Sequence, residues 1–151
     1  MPIIANPAAP ADEPTIENFS EFWPAFEPAT VRSIMRLESD ITPARLAELI
    51  QNAMLDVNDE LTEFVAEKQA DGLTFDDLPA QSQHQYRRAV YGMAQAQLLS
   101  DMIDYDTTAS GADRAIAVDP AIGVQQRSAI MAIRSLKKTM AEQPTAFTVL
   151  I

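Results

Sequence analysis

The chain has 151 residues, 47% of them apolar and 22% charged, which suits one soluble domain that buries its own core. It has no cysteine, which excludes a disulfide scaffold and any thiolate zinc site. A net charge of −11 repels nucleic-acid phosphates and excludes general DNA coating, though an acidic protein can still surround DNA without gripping it.

No stretch approaches the roughly 18 apolar residues of a membrane span. The opening MPIIANPAAPADEP lacks a basic region followed by an apolar run, so it does not read as a signal peptide, and the cytoplasm of whichever cell makes the chain is the expected place of synthesis. Charge is distributed unevenly. Residues 1–30 carry five acids and no base, whereas residues 109–151 carry five bases and three acids. Such polarity can orient identical subunits head to tail, or it can be accidental.

Residues 1–30 also hold Pro2, Pro7, Pro10, Pro14, Pro24 and Pro28. No helix can run through that spacing, and a flexible proline-rich arm over 1–30 is expected ahead of a helical domain over 31–151. Phe19, Phe22, Trp23 and Phe26 are too apolar for a mere linker. They either dock on the domain's own core or anchor the arm to a neighbouring subunit.

Residues 27–38 can form a short helix with Pro28 in its first turn. The clearest helix begins after Thr42, an N-cap followed by Pro43 at the first helical position. Leu46, Leu49, Ile50, Ala53, Met54, Val57, Leu61, Phe64 and Val65 trace one face, and acids fill the other. The pattern predicts an unbroken rod of about 42 Å up to Gly72, the expected stop. A connector over 73–82 should tuck Leu73, Phe75 and Leu78 onto the core.

The next helix is expected over 79–105, apolar on two sides and therefore central. Its stripes are Tyr86, Val90, Met93 and Gln97, and Tyr91, Ala94, Leu98, Met102 and Tyr105, with Ala89, Gly92 and Ala96 letting neighbours approach. A short helical piece over 112–118 should stop at Pro120. A last helix should follow over 121–142, with Ile122, Ile130, Ile133, Leu136 and Met140 facing inward. The tail TAFTVLI, with Phe147, Val149, Leu150 and Ile151, is rich in strand formers and should dock on the domain or on another subunit. The fold class is therefore all-α, a bundle of four to five helices with a flexible arm and an extended apolar tail.

Little of this points to catalysis. His84 is the sole histidine, three residues before Arg87, and reads as solvent-facing or capping. Asp101, Asp104, Asp106 and Gly111 fail the calcium-loop spacing, because position 12 from Asp104 is Ala115 rather than Glu. Asp106, Thr107 and Thr108 suit a turn or cap. No nucleophile, metal or phosphate-binding motif is present, so neither an enzyme nor a cofactor is expected. Arg127, Arg134 and Lys138 share a stripe of the last helix; they form a solvated face, or they meet an acidic neighbour or phosphate. Arg87 and Arg88, at the head of the central helix, join the interface candidates.

An ordered set of pieces adds to this reading: RLE at 36–38, ITPARL at 41–46, AMLDVNDEL at 53–61, DGLTFDDLPA at 71–80, YRRAVYGMAQAQLL at 86–99 and DYDTT at 104–108. Over about residues 31–151 the chain resembles the gpL-type head completion proteins of tailed myophages. The resemblance implies a structural head–tail connector in the virion neck. Such a protein assembles as a ring on the portal protein after DNA packaging, closes the filled head and offers a platform to a neck or tail-completion protein. DNA would pass through the lumen without sequence-specific contact, and no membrane is involved. The family's motif is structural, so it transfers no active-site residue. The alternative from another class is an acidic, DNA-mimicking module that occupies a basic protein.

Overall fold

A computed structural model describes residues 13–37, 40–105 and 109–141. Among these the chain is mostly helical, as an all-α fold requires: α1 (Pro28–Met35), α2 (Pro43–Glu60), α3 (Thr62–Ala70), α4 (Ala80–Tyr105) and α5 (Ala109–Ala141), with a 3-10 turn over Phe75–Asp77. α4 is the central element. α5 packs along one side of it and α2 on another, while α1 and α3 close the edges.

α2 begins as its sequence dictates. The Thr42 hydroxyl accepts the Arg45 N–H at 3.2 Å, and Pro43 fills the first turn. Leu46, Leu49, Ile50, Ala53, Met54 and Val57 form its buried stripe. The expected unbroken rod is corrected at Leu61, whose backbone (φ −106°, ψ 15°) leaves the helical region. The cause sits one residue on. The Thr62 hydroxyl donates to the carbonyls of Asn58 (3.2 Å) and Asp59 (2.9 Å), so a side chain competes for helix acceptors and breaks the ladder. α3 then ends at Gly72, which takes φ +73°, a conformation that disfavours any side chain.

The connector behaves as expected: Phe75 and Leu78 are buried and Leu73 is half-buried. Its capping box explains why. The Asp77 carboxylate accepts the Thr74 N–H at 2.8 Å and the Thr74 hydroxyl at 2.9 Å, which also holds the Asp77 pKa below the ordinary carboxylate value.

α4 buries Tyr86, Ala89, Val90, Ala94 and Ala96, while Tyr91, Met93 and Leu98 pack at the margin. Gly92 marks a close approach to α5. A β-carbon there would lie 3.0 Å from the Gln125 carbonyl and 3.1 Å from the Ala129 β-carbon. Small residues on both helices thus set the spacing.

The expected stop at Pro120 is corrected. α5 runs through it as one helix of 33 residues, about 50 Å long. Proline removes one backbone donor, a loss that packing along α4 offsets. The inner face also differs in part from expectation. Ala129, Ala132, Ile133 and Leu136 are buried and Met140 packs against them, but Ile130 is 45% exposed. Period-3.6 counting favoured large side chains, whereas the tight contact with α4 selects alanines.

The arm boundary moves as well. Ile16, Phe22, Trp23 and Phe26 are buried core residues, so the body begins well before residue 30. Ile16 and Phe26 exchange two backbone hydrogen bonds of 2.9 Å and pinch the segment into a loop. Inside that loop Trp23 lies between Tyr86 (centroids 3.9 Å, planes 1° apart) and Phe64 (5.8 Å, 11°), with Phe75 edge-on. Around the Tyr86 hydroxyl runs a closed ring of bonds. The Asn18 amide donates to Tyr86 at 2.8 Å, Tyr86 donates to the Asn58 carbonyl oxygen at 2.7 Å, and the Asn58 amide donates back to Asn18 at 2.8 Å. Asn18 is completed by the Pro24 carbonyl and the Ser20 N–H. Arg32 adds a second clamp, pairing with Glu13 and donating to the Ile41 carbonyl at 2.7 Å.

Three outcomes test this packing. Tyr86→Phe removes the only partner of the part-buried Asn58 side-chain oxygen and one of the two acceptors of the Asn18 amide, and should destabilise the fold by about 1–3 kcal/mol in denaturant titration, far beyond the loss of an exposed hydroxyl. Gly92→Leu should lower Tm by driving α4 from α5. Gly123→Ala, where a β-carbon meets nothing within 4 Å, should raise it, by about 0.5–1 kcal/mol of helix propensity. Burial raises the Tyr86 phenol pKa strongly above 10, only partly opposed by Asn18, and burial also raises that of Tyr91. The folded state therefore keeps protons that the unfolded chain releases. Stability from these groups is complete below about pH 10 and falls above it, and Tyr86→Phe should flatten that alkaline decline in unfolding midpoints.

Candidate partner interface

The sequence offered aromatic, basic and apolar residues as partner contacts, and the structure separates them. For Phe22, Trp23 and Phe26 the structure selects between the two roles open to them: all three dock on the chain's own core. Phe19 alone of the four faces out, 60% exposed. Its neighbour Asn18 is held in the Tyr86 network, so the backbone turns its ring outward from a fixed base.

Arg87 and Arg88 are half-buried and serve the fold. The Arg87 guanidinium lies 5.2 Å from the centre of the Phe75 ring, a cation–π contact. Arg88 donates to the Ser128 hydroxyl at 3.0 Å, tying α4 to α5. The head of α4 is thus charged because its arginines brace adjoining elements, and neither extends freely toward a partner.

Arg127, Arg134 and Lys138 are exposed on α5, but they do not act alike. Arg134 enters a cleft of about 560 Å³ between α5 and the end of α2, which also holds Asp56, Asp59, Glu60 and Lys137 over a Met93 floor. Lys137 makes the direct contact there, 2.8 Å from the Glu60 carboxylate, and lowers the Glu60 pKa by hydrogen bond and charge. Both side chains are exposed, so this bridge contributes little stability. Arg127 and Lys138 lie outside that cleft and remain open on the outer face.

Asp101 is a brace between helices. It accepts the Gln97 amide at 2.7 Å and pairs with the Arg45 guanidinium, which also reaches Glu48 at 2.9 Å. An acid near the C-terminus of α4 opposes the helix dipole, and the Arg45 charge on α2 offsets that. Among the described residues no group of three or more His, Asp or Glu side chains gathers in a metal-binding arrangement. Likewise no helix of the described part is long and apolar enough to cross a membrane. The Thr42 cap has its expected partner. Asp106, Thr107 and Thr108, and Phe147, Val149, Leu150 and Ile151 of the tail, lie outside the described residues.

Sequence reasoning passed over the exposed apolar residues. Leu55 interrupts the acidic face of α2, and Val124 and Met131 interrupt the basic face of α5; each is at least half exposed. The signal was available. Each falls off the buried period of its own helix, and a large apolar residue among charges is an informative departure.

Against this geometry the comparisons with known proteins are specific. The family model described as phage head completion protein (GPL) matches residues 16–143. The match starts at Ile16, the first buried residue of the N-terminal loop, so that loop is part of the family's body. The head completion/stabilization protein of Escherichia phage P2 is 38% identical over 128 residues, covering 80% of this chain and 74% of that one. No solved structure matches significantly. With a family model spanning most of its length and a relative this similar, the chain belongs to the phage head completion (GPL) family.

Proposed function

We propose that this head completion protein joins the portal protein at the vertex once DNA packaging ends, closes the filled head and presents a platform for the neck or tail-completion protein. Family membership over residues 16–143 carries the reading, since the family is one of structural head proteins rather than enzymes. The protein acts as a ring of copies within the virion neck, and packaged DNA passes its lumen without sequence-specific contact. A net charge of −11 supports free passage, because phosphate is repelled from the inner wall rather than bound. A body closed by buried aromatic and amide contacts is suited to bearing load at a pressurised vertex. Residues 1–12 and the TVLI end are proposed as contacts to neighbouring subunits or the portal.

Heads assembled in infected cells without this chain should package DNA and then lose it, and should fail to join tails. Supplying the chain should restore nuclease-resistant genomes and tailed particles. Chain-free particles that hold their DNA and carry tails at the normal level would refute the assignment. Purified protein mixed with portal should add a layer to one end of the portal ring in electron micrographs.

A further inference from the structure

Leu55 is half exposed on a helix face otherwise made of acids. It lines a groove of about 400 Å³ with Phe19, Trp23, Asp59, Val65 and Ala66. No basic residue lines this groove; Asp59 does, beside the uncharged Ser20, Asn58, Thr62 and Gln69, and the exposed Glu21 and Glu63 adjoin Ser20 and Thr62 in the chain. Trp23, whose buried indole N–H has no acceptor, is part of its lining. The groove therefore joins apolar side chains to polar and acidic groups and holds no base.

The opposite chemistry stands on α5. Val124, Arg127, Met131 and Lys138 follow one another at intervals of three, four and seven residues, so they form one stripe. Val124 is 52% exposed and Met131 59%. The reverse face of the helix, with Ala129, Ala132 and Leu136, is the one buried in the core. Arg134, on the same stripe by spacing, turns its side chain into the cleft shared with α2, as does Lys137.

We propose that the α5 stripe of one copy docks into the Phe19–Leu55 groove of the next copy, head to tail. This rests on the ring reading above and names its contact surfaces. Met131 and Val124 supply apolar side chains to the groove, while Arg127 and Lys138 meet its acidic groups. α2 and α5 both pack on α4 and present these surfaces away from it, so a chain cannot fill its own groove with its own stripe. The two surfaces differ, which makes the contact heterologous and lets it propagate into a closed ring. Charge of opposite sign fixes the direction and disfavours groove-to-groove pairing.

The full chain should self-associate with rising concentration in sedimentation velocity. Emission from Trp23, the sole tryptophan, should shift in step with association, and high salt should weaken both. Leu55→Lys and Met131→Glu, each at an exposed site, should keep the wild-type Tm and weaken self-association at least about tenfold. Mixed in equal amounts, the two variants retain one intact groove and one intact stripe between them. They should form a 1:1 dimer and nothing larger. A wild type that stays monomeric at about 1 mM, variants that associate as the wild type does, or a mixture that gives no dimer would each overturn the proposal. Portal addition and genome retention are scored separately, so a failure of these surfaces is distinguishable from a failure of the head-completion reading.

Discussion

Asn18, Asn58 and Tyr86 come from the N-terminal loop, the end of α2 and the first half of α4, and each gives and receives one bond in a closed ring. Isolated, any of these groups would be expensive to withdraw from water, on the order of 1–3 kcal/mol for a lost partner. Together they leave no orphan among their side-chain polar atoms, and a ring of this kind has one geometry. Trp23 can lie flat on Tyr86 because the ring fixes the tyrosine in plane and position. Phe64 can reach the other face of Trp23 because the chain breaks at Leu61. The break, the stack and the loop are therefore one construction. The helix interruption gives up some backbone regularity and gains the closure of an aromatic core.

This explains what was and was not legible in the sequence. α2 and α4 could be read from periodicity because their apolar residues repeat with the helix and their ends carry ordinary signals, Thr42–Pro43 and Gly72 for α2–α3. The break at Leu61 could not. Thr62 is unremarkable in sequence, and nothing in its neighbours announces that its hydroxyl will take the Asn58 and Asp59 carbonyls. The N-terminal loop is half legible for a related reason. Its prolines exclude a helix and suggest an arm, while its aromatics leave docking on the core open, and four aromatic or aliphatic anchors with one two-bond bridge hold the segment there. Composition reports what secondary structure a segment lacks, but tertiary contacts decide whether it is ordered.

α5 shows the same limit in another form. A proline within a helical pattern is a sound local signal for a boundary, and here tertiary packing overrides it, because α5 has α4 to lie against on both sides of its centre. The close contact at Gly92 selects a small residue, Ala129, at that point of the inner face, and Ile130, the next residue, stands outward. Counting large apolar residues finds a helix but not the distance at which it packs.

The basic candidates teach a different lesson. Of the five basic residues proposed for partners, Arg87, Arg88 and Arg134 each face a side chain or cleft of their own molecule. A cation in an acidic protein has intramolecular partners close at hand, so charge by itself marks an interface weakly. An exposed large apolar side chain has no such use within the fold and gains only by losing contact with water. Leu55 and Met131 therefore discriminate better than any charge between a surface that faces solvent and one that faces a neighbour. The surrounding charges act in a second role, selecting which neighbour and in what direction. Within the described residues the Asn18–Asn58–Tyr86 ring satisfies its own polar groups, so the exposed apolar side chains are the part of the molecule with most to gain from assembly.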